Sequence, residues 1–363
     1  MKISQLKKTT RTDFRTYAGV IAAFIIMSVL QSRGGLSRSL TGQLVPICCY
    51  MSMAVSLNLT VGILGELSLG HAGFMSVGAF SGITAAMCLQ DAIPSAPLRL
   101  AVAMLAGFVC AAVAGLIVGA PVLRLRGDYL AIVTLAFGEI IKELVNCLLV
   151  GYDAKGLHIA FNLSGNMTMD DLHLDPGTGI AIIKGAQGAT ATKAIASFTA
   201  GFVLVMLTLF IVLNLVRSRA GRAIMALRDN RIAAESVGIN ITKYKLMAFV
   251  LSAALAGAAG ALYGLNFSSL QATKFNFNTS ILVLVFVVLG GLGNIWGSII
   301  AAALLTLLPE ILRALNFNDY RMLIYAVLLI ALMLFNNSNL KQRMLERRAM
   351  KKTEAEEKKR GVA

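Results

Sequence analysis

Residues 194–239 read AIASFTAGFVLVMLTLFIVLNLV (194–216) followed by RSRAGRAIMALRDNRIAAESVGI (217–239), a long apolar run joined to a basic loop. The apolar part contains no Asp, Glu, Lys or Arg. A helix needs about 20 residues to cross the ~30 Å hydrocarbon core of a bilayer. The stretch therefore predicts a transmembrane helix that ends beside a positively charged loop.

The composition extends this prediction to the whole chain. Of its 363 residues, 57% are hydrophobic and only 14% are charged, and the mean hydropathy is +0.75. A soluble domain is about 45–50% apolar and ~25% charged, so a water-soluble protein is excluded. We expect an all-α polytopic membrane protein. Further apolar runs lie at 17–30, 41–60, 68–89, 98–121, 129–150, 246–267, 279–293, 296–313 and 320–336.

The number of crossings depends on the region 279–313. If both of its runs cross the bilayer, the chain has ten transmembrane helices. If they form a re-entrant pair broken at GGLGN (290–294), it has eight. A single crossing would place the basic tail and the other basic segments on opposite sides of the membrane. We therefore expect about eight to ten transmembrane helices.

Basic residues are concentrated in three segments, 1–15, 217–245 and 341–360, which carry nearly all of the net charge of +15. Such segments mark the cytoplasmic side of a membrane protein. The charges flank apolar runs and lack interleaved aromatic residues, which disfavours a nucleic-acid partner. The predicted layout is a cytoplasmic segment 1–16, a membrane domain 17–336 with an external loop 151–193 and a cytoplasmic loop 217–245, and a cytoplasmic tail 337–363.

Sequence signals for catalysis are missing. There is no Gly-Lys dipeptide and hence no phosphate-binding loop, and neither G-x-S-x-G nor H-E-x-x-H occurs. The three histidines lack metal-ligand spacing, and the five cysteines form no C-x-x-C pair. We expect a non-catalytic protein that binds neither a metal nor a cofactor of its own.

Glycines and polar residues meet in GILGELSLGHAGF (62–74), beside a predicted span. Ionisable residues in a membrane are costly and usually face a bundle interior or a water-filled path. Repeated glycines also permit a broken helix whose freed backbone groups bind a polar solute. The candidate path-lining residues are Asn58, Glu66, Ser68, His71 and Phe74. The alternative is a tight crossing of helices with Glu66 and His71 at the interface.

Two further patterns predict local structure rather than a functional site. Small residues one turn apart allow membrane helices to approach closely, and they occur as Gly78/Gly82, Gly115/Gly119 and Gly260/Gly264. Glu139, Lys142 and Glu143 have the spacing of neighbours on a helix. They form either a local ion pair at an external helix end or a polar patch near a pore, and we favour the local ion pair.

The segment 221–239 has the spacing of a short amphipathic helix. Ile224, Leu227 and Ile232 form a weak apolar face, and the opposite face is basic. The helix ends near Gly238, where a helix C-terminus often needs a residue with a left-handed backbone. A helix of this kind either lies on anionic lipid or docks in a groove of a cytoplasmic partner.

Four blocks of the chain, 58–74, 124–139, 218–262 and 288–309, resemble the membrane subunits of ATP-binding-cassette importers. More narrowly, they are similar to M-type permeases of high-affinity branched-chain amino acid importers, and with 320–335 they cover most of the chain from about 45 to 336. The resemblance implies a coupling helix that contacts the ATPase. Its candidate residues are Gly221, Arg222, Arg228, Asn230, Ala233, Ala234, Glu235 and Gly238.

The resemblance also implies the partners. These are a second, H-type permease, two cytoplasmic ATPase subunits that bind the ATP, and an extracytoplasmic solute-binding protein, assembled in the lipid bilayer of a bacterial inner membrane. The implied solutes are Leu, Ile and Val. The segment 151–193 is longer than is usual in that family, which leaves urea, short amides or other small solutes as alternatives. A stand-alone secondary transporter or channel also fits the composition but gives no reason for the cytoplasmic helix.

Overall fold

The computed structural model describes residues 3–33, 37–124, 128–153, 156–162, 179–190 and 192–314, together with the helical positions 323, 326, 327, 330 and 334. The chain divides into two units, 1–306 and 307–363. The membrane-domain helices are α1 (Ile3–Ser32), α2 (Arg38–Asn58), α3 (His71–Cys88), α4 (Ala96–Val122), α5 (Asp128–Asn146), α6 (Phe198–Arg217), α9 (Ile241–Gly264), α10 (Phe277–Gly290) and α11 (Ile295–Ala314); α7 (Arg219–Asp229) and α8 (Arg231–Ser236) are shorter.

The helices confirm the predicted class of fold. Within the described residues, five are long and apolar enough to cross a membrane, and two more are apolar but shorter. The five are Ser39–Leu64, Ala96–Val122, Phe198–Arg217, Ile241–Gly264 and Ile295–Arg313, and the shorter two are Thr16–Ser32 and Phe277–Gly290. Helices α3 and α5 occupy two further predicted spans but carry polar side chains. The total of eight to ten crossings stays a prediction.

The two ends of the chain differ in how far the structure describes them. Helix α1 begins at Ile3 and continues to Ser32, so the predicted boundary between 16 and 17 is not a break in the structure. The tail 337–363 and most of the predicted span 320–336 lie outside the described residues. The sides on which these segments lie stay predictions.

Helices α3, α4 and α9 pack closely against one another through small residues. A methyl group at Gly78 would lie 2.1 Å from the carbonyl oxygen of Gly257, and one at Gly260 would lie 2.0 Å from that of Met75. The other glycines of the spaced pairs also face neighbouring helices closely: Gly82, Gly115, Gly119 and Gly264. The packing role predicted for these pairs is confirmed.

This packing makes Gly78→Ala a disruptive change. The added methyl group meets backbone that cannot move aside, so we expect a loss of about 1–3 kcal/mol or more in the free energy of unfolding. The matched control is Gly42→Ala in α2, where the methyl group meets no atom within 4 Å. Gly42→Ala should not destabilise α2, because alanine has a higher helix propensity than glycine. Thermal unfolding in detergent should show a lower midpoint for Gly78→Ala alone, and equal midpoints would contradict the packing.

A small antiparallel sheet, absent from the prediction, occupies much of the described part of 148–184. Its strands are β1 (Leu148–Asp153), β2 (Gly156–Phe161) and β3 (Ile180–Lys184), in the order β2-β1-β3. Strand β1 begins two residues after α5 ends, so the apolar run 129–150 is a helix followed by a strand rather than one span. The segment therefore adds a sheet to an otherwise helical protein.

Candidate functional site

The candidate site begins where α2 loses its regular geometry. A π-helix, Leu59–Leu64, continues α2 and ends at Gly65, whose φ of 81° is left-handed. From Gly65 to Gly70 the chain is not helical, and α3 begins at His71. π-Helical turns are rare in proteins as a whole, but those that occur are often found at functional sites. The broken helix that the glycine run suggested is therefore present, placed between α2 and α3.

Asn58 ties this break to a distant part of the bundle. Its side chain is fully buried, and its amide nitrogen donates to Ser298 Oγ at 2.8 Å. Its amide oxygen accepts a hydrogen bond from the backbone N–H of Gly293, also at 2.8 Å. Gly293 lies in the turn that joins α10 to α11, the GGLGN segment of the sequence. In this conformation Asn58 therefore connects the break after α2 to the turn between α10 and α11.

Glu66 is paired with Lys245 near the start of α9. The ammonium group of Lys245 donates to Glu66 Oε1, and the two side chains are only 8% and 15% exposed. The pair joins residues that are 179 positions apart in the chain. Glu66 therefore fastens the non-helical segment to α9.

Removing one member of such a pair should destabilise the protein more than removing both. An isolated buried charge costs about 3–5 kcal/mol, whereas replacing both partners by apolar groups is often neutral. We expect Glu66→Leu to lower the thermal midpoint in detergent, and Glu66→Leu with Lys245→Met to recover most of it. A double variant as unstable as the sum of its single variants would contradict the pairing.

The remaining candidate path residues are also buried. His71 Nε2 lies 2.9 Å from Ser56 Oγ, and the hydroxyl of Ser252 in α9 donates to the carbonyl oxygen of Ser56. Phe74 packs edge-on against Phe249, with ring centroids 5.5 Å apart. These contacts hold α2, α3 and α9 together at one level of the bundle.

Ser68 differs from these residues, because its buried hydroxyl makes no hydrogen bond within the described residues. A buried hydroxyl without a partner is costly. Whether Asn58, Glu66, Ser68, His71 and Phe74 line a path stays a prediction. In this conformation they lie inside the bundle.

Glu139, Lys142 and Glu143 form the local cluster that their spacing predicts. Lys142 pairs with Glu139 and lies 3.3 Å from Glu143. Glu139 also accepts a hydrogen bond from the backbone N–H of Phe277 at 3.0 Å, which caps the first turn of α10. The local ion pair predicted for these residues is confirmed.

The predicted single helix over 221–239 is wrong in one respect, because two helices occupy the segment. Asn230 separates α7 from α8 with an extended backbone (φ −155°, ψ 105°), and its side chain accepts from the N–H of Ala233 at 3.1 Å. Asparagine is a favoured N-cap, so the residue that ends α7 begins α8. The segment is a bent pair of helices.

The bend changes which apolar side chains are buried. Ile224 is fully buried in the cluster that includes Leu59 and Ile63 of the π-helix, and Leu227 is 5% exposed. Ile232, however, is 81% exposed, so it does not belong to the apolar face predicted for it. The break at Asn230 turns α8 so that Ile232 faces outward.

The eight predicted coupling residues divide into two groups. Gly221 and Ala234 are buried; a methyl group at Gly221 would lie 2.2 Å from the carbonyl oxygen of Leu215, so Gly221 serves the tight turn after α6. The exposed members are Arg222, Arg228, Asn230, Ala233, Glu235 and Gly238. Only the second group is accessible at the surface of this chain, and its contact with a partner stays a prediction.

Gly238 has the left-handed backbone predicted for it, with φ 82°. Its N–H donates to the carbonyl oxygen of Glu235, and the N–H of Ile239 donates to that of Ala234. These bonds satisfy carbonyl groups in the last turn of α8. A Cβ atom at Gly238 would meet no atom within 4 Å, so the backbone conformation and not space selects glycine.

Arg228 reaches out of α7 to the π-helix. Its Nη1 donates to the carbonyl oxygen of Gly62 at 2.9 Å, while Nε and Nη2 both contact Asp229 Oδ1 at 3.3 Å. This contact and the Lys245–Glu66 pair join residues that are distant in the sequence. No local pattern in the sequence indicated either of them.

Comparison with known proteins decides the family. Residues 39–333 match the family model described as "Branched-chain amino acid transport system / permease component". The chain belongs to this family. The family comprises permeases of ATP-binding-cassette importers, so the predicted resemblance and the assignment as a multi-pass membrane transport subunit are confirmed.

Three relatives show the extent of the match. The high-affinity branched-chain amino acid transport system permease protein LivM of Salmonella typhimurium is 36% identical over 305 residues, which are 80% of this chain and 67% of the relative. LivM of Escherichia coli K12 is 35% identical over 306 residues, with the same shares. The corresponding permease BraD of Pseudomonas aeruginosa is 27% identical over 290 residues, 79% of this chain and 89% of the relative.

Proposed function

We propose that this chain is the M-type permease of an importer that carries Leu, Ile and Val across a bacterial inner membrane. The names of the relatives, which are branched-chain amino acid permeases, support this substrate class. The complex would contain a second, H-type permease, two cytoplasmic ATPase subunits that bind the ATP, and an external binding protein. Both termini of this chain would lie in the cytoplasm.

The observation that carries the proposal is the exposed face of α8. Ile232 and Val237 are 81% and 74% exposed, and Glu235 lies between them in the chain. Large apolar side chains flanking a carboxylate suit a groove in a protein partner better than anionic lipid, which would repel the carboxylate. The capped ends of α8, at Asn230 and Gly238, hold this face in one geometry.

In this proposal α7 and α8 receive the movement of the ATPase subunits. The buried side chains Ile224 and Leu227 would carry that movement to the π-helix and to α9. The break between Leu64 and His71 would then rearrange and open a path beside Asn58, Glu66, Ser68, His71 and Phe74. Such alternating access needs an element with two arrangements, and discontinuous helices typically form the substrate sites of transporters.

Uptake by the reconstituted complex tests the proposal. Proteoliposomes containing all membrane and ATPase subunits, with ATP on the ATPase side and binding protein on the other, should accumulate labelled leucine. Omitting ATP or the binding protein should abolish accumulation. Labelled urea and acetamide serve as the matched solutes. Uptake of urea without uptake of leucine would contradict the proposed substrate, and leucine uptake without ATP would contradict the importer class.

A further inference from the structure

The Arg228 side chain lies against three glycines, at positions 62, 65 and 293. A methyl group at Gly65 would lie 2.6 Å from Arg228 Cγ, and one at Gly293 would lie 3.8 Å from Nη1. At Gly62, it is the carbonyl oxygen that accepts the hydrogen bond from Nη1. Gly65 and Gly293 both have positive φ. The glycines of the α2 break and of the α10–α11 turn thus lie along the side chain of one arginine of α7.

The hydrogen bond from Arg228 to the carbonyl oxygen of Gly62 supplies a donor at the end of a helix. The carbonyl groups in the last turn of a helix have no partner within the helix, and a cation there also interacts favourably with the helix dipole. Thr60, in the same π-helix, accepts from the N–H of Glu66. Gly62 accepts instead from Arg228. The end of the π-helix is therefore completed by a side chain of α7.

The contact continues beyond the π-helix. Asn58, one turn before Gly62, accepts from the N–H of Gly293 and donates to Ser298. A displacement of Arg228 therefore acts on Gly62 directly and on the α10–α11 turn through Asn58. The other edge of the guanidinium group lies 3.3 Å from the exposed carboxylate of Asp229.

We propose that Arg228 is the positioning residue that transmits displacement of α7 to the break in α2 and to the α10–α11 turn. This inference rests on the proposed function, because it assigns to Arg228 a role in coupling ATP hydrolysis to uptake. In this inference Arg228 acts on the π-helix within the permease and does not contact the ATPase. Breaking the contact should leave the ATPase bound and active but no longer linked to transport.

The measurement is the number of leucine molecules taken up per ATP hydrolysed by the complete complex in proteoliposomes. We compare Arg228→Ala, Arg228→Met, which keeps the stem that packs on Gly65, and Arg228→Lys, whose ammonium group can still reach a carbonyl oxygen. Arg219→Ala is the control, since it removes the same charge from an exposed position of the same helix.

We expect Arg228→Ala and Arg228→Met to retain the ATPase subunits and to lower the uptake per ATP at least tenfold. Arg228→Lys should recover more than a third of the wild-type ratio, and Arg219→Ala should keep it. A purely structural role would lower uptake and hydrolysis in proportion and leave the ratio unchanged.

Three results would overturn the inference. The first is an unchanged uptake per ATP in Arg228→Ala and Arg228→Met, and the second is an equal loss of uptake per ATP in Arg219→Ala. The third is failure of Arg228→Ala and Arg228→Met to assemble with the ATPase. A wild-type complex that carries no leucine would instead refute the proposed substrate. The ratio is then measured with the solute that the binding protein holds.

Discussion

Charge reversal at Glu235 should abolish uptake and release the ATPase subunits. The carboxylate is exposed on α8 and makes no hydrogen bond or ion pair with the described part of the chain. If a cationic group of the ATPase pairs with it, removing one partner costs about 2–5 kcal/mol. Since 1.4 kcal/mol is a factor of ten, Glu235→Lys should weaken ATPase attachment by a factor of about 25 or more.

Co-purification of the ATPase with tagged permease measures this loss, and uptake in proteoliposomes measures its consequence. The matched control is Asp91→Lys, another reversal of an exposed acid, in the turn between α3 and α4 that the predicted topology puts outside. It should retain both the ATPase and uptake. A helix that rests on anionic lipid predicts the opposite for Glu235→Lys, because an added base strengthens lipid binding. Wild-type uptake in that variant, with the ATPase attached, would refute the docking role.

The second large effect should come from Gly238, and it should depend on backbone geometry rather than size. Gly238→Val places a β-branched residue at φ 82°, a conformation that such residues rarely adopt. The end of α8 must then change conformation, which moves Glu235 and Val237 out of position. We expect uptake to fall at least tenfold while the amount of folded permease stays near that of the wild type.

Asparagine provides the control at the same site. Asn tolerates the left-handed region, and the space around the Cβ position is open, so Gly238→Asn should keep most of the uptake. Equal loss in Gly238→Val and Gly238→Asn would show that a side chain, and not the backbone, blocks the partner. No loss in Gly238→Val would remove α8 from the mechanism.

The sequence predicted the features that depend on local patterns. Uncharged runs of helix length located the spans, because a bilayer demands about 20 apolar residues. Glycine spacing located the packing of α3, α4 and α9, and the glycines from 62 to 70 located a broken helix. Gly238 was placed at a left-handed helix end by its position after an amphipathic stretch.

Other features required the three-dimensional structure. Strand β1 directly follows α5, and an apolar run does not distinguish a buried strand from the end of a helix. The break at Asn230 has a sequence signal, because asparagine is a favoured N-cap residue, but the helical spacing of 221–239 continues through it. The bonds from Lys245 to Glu66 and from Arg228 to Gly62 join residues 179 and 166 positions apart, respectively. Pairings of that range leave no local pattern.

Crosslinking from two positions of the assembled complex tests most directly whether α8 is the element that engages the ATPase. A photoreactive residue replaces the exposed Ala233 of α8 in one variant and the exposed Leu157 of β2 in the other. Irradiation should link position 233 to the ATPase subunit and leave position 157 without such a link. An ATPase crosslink from position 157, or none from position 233 in a complex that retains the ATPase, would contradict the proposed site and sidedness.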